Sequence, residues 1–180
     1  MKKSQLKKII LASMFVGIGI ILPFLTANNQ ELGNMFSLMH IPVLLAGLVL
    51  GFQYGLIVGL LTPILRSLLI GMPPMMPIAL SMMFELGAYG LFTGLFYKLL
   101  PKKDINVLIT VALAMILGRA VWGVAASIFY KAAGWEFTLK TFMTAGFVVA
   151  APGIAIQLVL IPTLFVRLVE TGAIERINEN

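Results

Sequence analysis

Apolar residues run on almost unbroken along this chain instead of alternating with charged faces, and its polar positions gather in short clusters between the runs. A bilayer's hydrocarbon core, about 30 Å thick, takes about 20 apolar residues in helix, and backbone that crosses it must satisfy its own hydrogen bonds. Six segments meet or approach that length: 7–25, 39–51, 54–70, 77–100, 105–130 and 141–169. The second is short and only Gly51-Phe52-Gln53-Tyr54 parts it from the third, so these two are expected to form a tight hairpin, tilted or partly broken; a five-helix reading stays open. The pattern predicts an all-α polytopic membrane protein, a single integral domain over 1–180, with no internal repeat and no low-complexity tract.

Composition agrees, with 60% hydrophobic and 11% charged residues and a mean hydropathy of +1.02. Charge adds orientation. With a cytoplasmic N-terminus, six spans place Lys2, Lys3, Lys7, Lys8, Lys98, Lys102, Lys103, Arg167 and Arg176 inside, against Lys131 and Lys140 outside. Both termini are then cytoplasmic. The basic start before an apolar run has the look of a secretory signal, but the run is long enough to span and lacks a small-x-small cleavage site, so it is read as a retained first helix. A net charge of +6 spread over segment ends is a topology signal and not a nucleic-acid footprint. The outer connections are the irregular ones: Thr26-Ala27-Asn28-Asn29-Gln30-Glu31, Gly71-Met72-Pro73-Pro74-Met75-Met76-Pro77, and 131–140 with Gly134 and Trp135.

Candidate chemistry lies at membrane depth. His40, Arg66, Glu85 and Arg119 all fall in the outer half of their spans, and a charge there costs roughly 2.5 to 3.5 kcal/mol on insertion scales unless it faces a partner or a polar cavity. Tyr89 stands one turn from Glu85 and Trp122 one turn from Arg119, so aromatic faces flank the polar groups, as in a pocket for an organic solute. The competing reading is a structural Glu85–Arg119 pair, with Arg66 and His40 reaching the headgroups. Small residues Ala12, Ser13, Val16 and Gly17 mark the inner part of helix one, a packing face or a docking face, and Gly47, Gly51, Gly55 and Gly59 recur at fours in the hairpin, as internal packing does. The methionines, five of them around the outer ends of helices three and four, supply adaptable apolar surface. No catalytic residue is indicated: the chain lacks G-x-S-x-G, a Walker lysine loop and H-E-x-x-H. It has no cysteine and a single histidine, so neither a thiol centre nor a multi-histidine metal site is available, and no cofactor is expected.

Over essentially its whole length the chain resembles the substrate-binding S components of bacterial energy-coupling factor (ECF) vitamin transporters. The resemblance rests on the basic start, the Ala-x-x-x-small element Ala12-Ser13-Met14-Phe15-Val16 and the stretch Met39-His40-Ile41-Pro42-Val43-Leu44-Leu45-Ala46-Gly47. It rests further on Thr62-Pro63-Ile64-Leu65-Arg66-Ser67-Leu68-Leu69, Gly71-Met72-Pro73-Pro74, Phe84-Glu85-Leu86 and Gly118-Arg119-Ala120-Val121-Trp122-Gly123. These are similar to the subgroup linked to pantothenate and to cobalamin lower-ligand precursors. The resemblance implies capture of a vitamin or precursor from outside a bacterial cytoplasmic membrane, docking to a membrane scaffold driven by two cytoplasmic ATPases, and toppling of the subunit to carry the site inward. On that footing His40, Arg66, Phe84, Glu85, Tyr89, Arg119 and Trp122 are the expected substrate-binding residues, and Ala12, Ser13, Val16 and Gly17 the docking face; Val16 stands where that family often has alanine. Trp122, Tyr89 and Phe84 could stack a flat bicycle, dimethylbenzimidazole or its riboside α-ribazole, while the two arginines and His40 could seat the carboxylate of pantothenate. Two other classes remain open: an autonomous channel or secondary transporter, and an assembly factor with no small ligand.

Overall fold

A computed structural model describes residues 3–26 and 29–178; Met1 and Lys2 of the basic start, Ala27 and Asn28 of the first outer connection, and the side chains of Lys3, Gln30, Arg176 and Asn178 lie outside the described residues. Everything regular in it is helical. The elements are α1 (Lys3–Ile21), a tight 3-10 turn (Leu22–Thr26), α2 (Gln30–Phe36), α3 (His40–Leu50), α4 (Phe52–Ile70), a wide turn (Met75–Ala79), α5 (Leu80–Leu99), α6 (Asp104–Ala132), α7 (Leu139–Met143), a second wide turn (Thr144–Val149), α8 (Ala151–Glu170) and α9 (Ala173–Asn178). Six stretches are long and apolar enough to cross a membrane, and apolar side chains such as Ile10, Met14, Leu69, Ile116, Val124 and Val159 point outward from them.

Two of the expected spans begin earlier than the pattern indicates, each with a break near its start, and the sixth is divided. The second begins earlier than residue 39, because α2 is capped by the Asn29 side chain, which accepts from the Glu31 and Leu32 amides, and leads into α3 after a break at Ser37. Ser37 adopts the left-handed conformation (φ 49°, ψ 44°); its own N–H closes α2 on the Gly33 carbonyl at 2.8 Å, and its carbonyl takes the first amide of α3, from His40, at 3.0 Å. The fourth span kinks at Met76, whose extended backbone separates the wide turn from α5. The sixth is not one helix over 141–169. Instead α7 and the turn after it form a separate strap, and Ala150, with a near-zero ψ, divides them from α8.

The core sits around α3, in which every residue but Leu45 is buried. It is enclosed by α1, α4, α5 and α8, while α6 packs against α5 and α8. The glycines of the hairpin do what was expected of three of them. Gly47 and Gly55 meet the Gly90 carbonyl and Gly59 the Leu86 carbonyl, so the backbones of α3, α4 and α5 touch directly. Gly51 serves instead as the turn between α3 and α4, at φ 90°, where a side chain would be strained. At that same end, Lys102 lies over the Tyr97 ring at 3.4 Å, and burial lowers its ammonium pKa from the ordinary lysine value. Lys98 and Arg167 fall there too, at the last turns of α5 and α8. The opposite end carries the three irregular connections.

Candidate functional site

Beneath those connections lies a cavity of about 260 Å³, open on one side. Its walls come from five of the six spans. The 3-10 turn gives Pro23 and Thr26, the α2–α3 break gives Asn34, Ser37 and His40, α4 gives Arg66, α5 gives Met82 and Glu85, and α6 gives Arg119, Trp122 and Tyr130. Ala145 and Val149 of the strap close one flank.

Glu85 is the centre. Its carboxylate is 2% exposed, and a single oxygen, Oε1, accepts from Arg119 Nη1 at 2.8 Å and from the Tyr89 hydroxyl at 3.0 Å, with His40 Nε2 standing 3.5 Å away. Tyr89 reaches it because four residues is one helical turn, and Arg119 does so because α5 and α6 pack side by side. A carboxylate and a guanidinium this deep are tolerable only together. The guanidinium also lies 5.8 Å from the Trp122 ring, three residues on along the same face.

His40 Nδ1 is 3.0 Å from the Ser37 carbonyl. A carbonyl only accepts, so Nδ1 carries the hydrogen and Nε2 is left facing Glu85. At 3.5 Å that contact is too long for a hydrogen bond, and His40 Nε2 has no other partner; the Arg119 Nε–H is likewise buried without an acceptor. Buried polar groups are rarely left so, and two such atoms belong to residues that line one cavity. Arg66 is buried too. It donates from Nη1 to the Met72 carbonyl at 2.9 Å and from Nε to the Ile20 carbonyl at 3.3 Å, tying the end of α1 to the connection after α4 beside the Phe24 ring.

Of the seven residues read from the sequence as substrate-binding, His40, Arg66, Glu85, Arg119 and Trp122 line the cavity. Tyr89 does not; it is fully buried behind Glu85 and orients it. Phe84 lies away from the cavity, 41% exposed on the outside of the bundle with its ring stacked on Phe129 at 5.9 Å. Consecutive helical residues diverge by about 100°, so Phe84 and Glu85 cannot share a face. Tyr130 was missed although the spacing Arg119, Trp122, Ala126, Tyr130 marks one face of α6. Asn29, Asn34 and Ser37 were missed because the connection that holds them gives no periodic signal.

The four residues of helix one separate as well. Ala12 turns inward and is buried in the core, while Ser13 is exposed and spends its hydroxyl on the Ile9 carbonyl. Val16 packs partly against the core, and a side chain added at Gly17 would meet open space. The small residue that brings α1 close to α4 is Gly19, set against Thr62 and Pro42.

The family model described as ECF transporter, substrate-specific component, matches residues 7–169. The chain belongs to that family. No match was found among curated proteins or among solved structures. As an ECF substrate-specific component it is a multi-pass membrane protein and a substrate-binding transport subunit, not an enzyme. Membership implies a small-molecule substrate and partnership with ECF scaffold and ATPase modules.

Proposed function

We propose that this S component captures a small water-soluble vitamin or vitamin precursor in the cavity around Glu85, at the outer face of a bacterial cytoplasmic membrane. The observation that carries the reading is the buried Glu85–Arg119–His40 cluster opening onto a cavity with hydrogen-bonding capacity unspent at His40 Nε2 and Arg119 Nε. A cluster serving packing alone would satisfy its own groups. The basic residues at the far end of the bundle support a cytoplasmic location for that end and therefore an outward-facing cavity.

For the ligand, dimethylbenzimidazole or α-ribazole is the first reading. The Trp122 ring offers a flat face beside Glu85 and His40 Nε2, two acceptors for an imidazole N–H or a ribose hydroxyl. With Phe84 and Tyr89 outside the lining, that stacking rests on Trp122, with Tyr130 in support. Pantothenate is the second reading, favoured by Arg66 and Arg119 against one lining carboxylate. Docking to the scaffold is assigned to α1 through Ser13, Val16 and Gly17, with Ala12 supporting that face from within; two ATPases then drive release inside.

Calorimetric titration of the purified protein with α-ribazole, dimethylbenzimidazole and pantothenate tests this. Saturable binding of one of them, weakened in Glu85→Gln, is the expected result. Absence of binding by all three, or gradient-driven accumulation by the protein reconstituted alone, would overturn it.

A further inference from the structure

The Ser37 carbonyl, at the left-handed break between α2 and α3, has a third donor besides the His40 amide and the His40 ring. Gln157 of α8, far along the chain and 1% exposed, donates from Nε2 to Ser37 O at 3.2 Å and toward Phe36 O at 3.4 Å. Its amide cannot be turned over: Oε1 in that place would face two carbonyl oxygens with nothing to donate. One turn earlier on the same face, Gly153 lets α8 come this near, since a Cβ there would stand 2.6 Å from Phe36 O and 2.7 Å from Met35 O. A buried glutamine could have been an accident of packing; a glutamine aimed at the one carbonyl that fixes the histidine's hydrogen is more specific.

We propose that Gln157 is a positioning residue for the ligand site: by holding the Ser37 carbonyl it keeps His40 in the Nδ1–H form with Nε2 presented to Glu85 and the cavity. The proposal rests on the cavity being the ligand site only for its consequence in affinity, not for the state of His40. The charged or titratable groups around the cluster are Arg66 of α4, Glu85 and Tyr89 of α5, and Arg119 and Tyr130 of α6. None of them touches Nδ1, whose acceptor is the Ser37 carbonyl; across the ring, Nε2 stands 3.5 Å from the Glu85 carboxylate, which would favour the hydrogen on that side. Without Gln157 that carbonyl keeps only donors from His40 itself and loses its tie to α8, so the break is looser and the hydrogen can pass to Nε2, beside Glu85.

Because His40 is the chain's single histidine, nitrogen-15 labelling of histidine reports this ring alone. The test compares the full-length protein with Gln157→Met, which keeps length and apolar volume and removes the donor, and with Gln157→Asn, which keeps the amide but falls one methylene short. In the parent, Nδ1 is expected to be protonated in nitrogen NMR spectra at neutral pH. In Gln157→Met the Nδ1–H signature is expected to give way to the other tautomer or to an exchange average, with Gln157→Asn between. Affinity for whichever of α-ribazole and pantothenate binds the parent is expected to fall on the order of tenfold in Gln157→Met, the worth of one hydrogen bond. A His40 spectrum unchanged in both variants overturns the proposal, whatever happens to melting temperature. A shifted spectrum with unchanged affinity sustains the positioning of His40 and refutes the cavity as the place where ligand meets it.

Discussion

Among the described residues stand two arginine–glutamate pairs of nearly equal length and very different standing. Arg119 and Glu85 meet at 2.8 Å across two helices with side chains 8% and 2% exposed, whereas Arg167 and Glu170 meet at 3.1 Å within one turn of α8 at 77% and 56%. Water and salt around the second pair screen its attraction and solvate each partner equally well alone. Around the first there is a tyrosine, a histidine, an indole ring and a cavity, so each partner depends on the other. What separates a site from a surface ornament is the cost of taking one partner away.

The comparison can be broken at its strongest point first. Arg119→Met leaves Glu85 buried without its cation and is expected to cost about 3 to 5 kcal/mol of stability, read from equilibrium unfolding in mixed micelles. Removing both charges, Glu85→Gln with Arg119→Met, is expected to return most of that stability while ligand binding stays lost. If the double variant binds as the parent does, the pair is a strut and the ligand is held by Arg66, His40 and Trp122. Glu85→Gln alone keeps an acceptor for Arg119 and Tyr89, so it should fold and lose about 1.5 to 3 kcal/mol of binding free energy in calorimetry. Trp122→Leu removes the ring face near the guanidinium and is expected to weaken binding by about 1 kcal/mol. At the other pair, Glu170→Gln should change stability by less than about 0.5 kcal/mol at any ionic strength. A larger effect there would mean that Arg167 acts beyond its own helix.

The same contrast explains what could be read before the fold was known. Spans and ionisable residues at membrane depth are legible one residue at a time, because a charge such as Glu85 or Arg119 inside an apolar run is costly wherever its partner lies. Their meeting is also foreseeable, since adjacent spans joined by a short connection pack together. Direction is another matter. Phe84 is expected with Trp122 and Tyr89 as a stacking ring, and helical rotation sends it to the outside; Ala12 is expected on one face with Ser13 and Gly17, and the same rotation sends it in. The break at Ser37 left no trace, for a serine in the left-handed region looks like any serine, and what stabilises it arrives on α8, with Gly153 and Gln157, over a hundred residues later. The division of the sixth span at Ala150 is hidden in the same way, by apolar residues on both sides.

The bare backbone contact among α3, α4 and α5 has a mechanical side. Where Gly47 and Gly55 rest on the Gly90 carbonyl, backbone meets backbone, and the one side chain set against Gly47, that of Thr93, is itself bonded to the Tyr89 carbonyl. A vice with one fixed jaw is the nearest likeness: Glu85 is mounted on the jaw that cannot travel. The opposing jaw is built of the strap over 139–149, the 3-10 turn and α2, short pieces joined at breaks. Any change in the width of the cavity is therefore expected to be taken up on that side, with Glu85 held in place on α5.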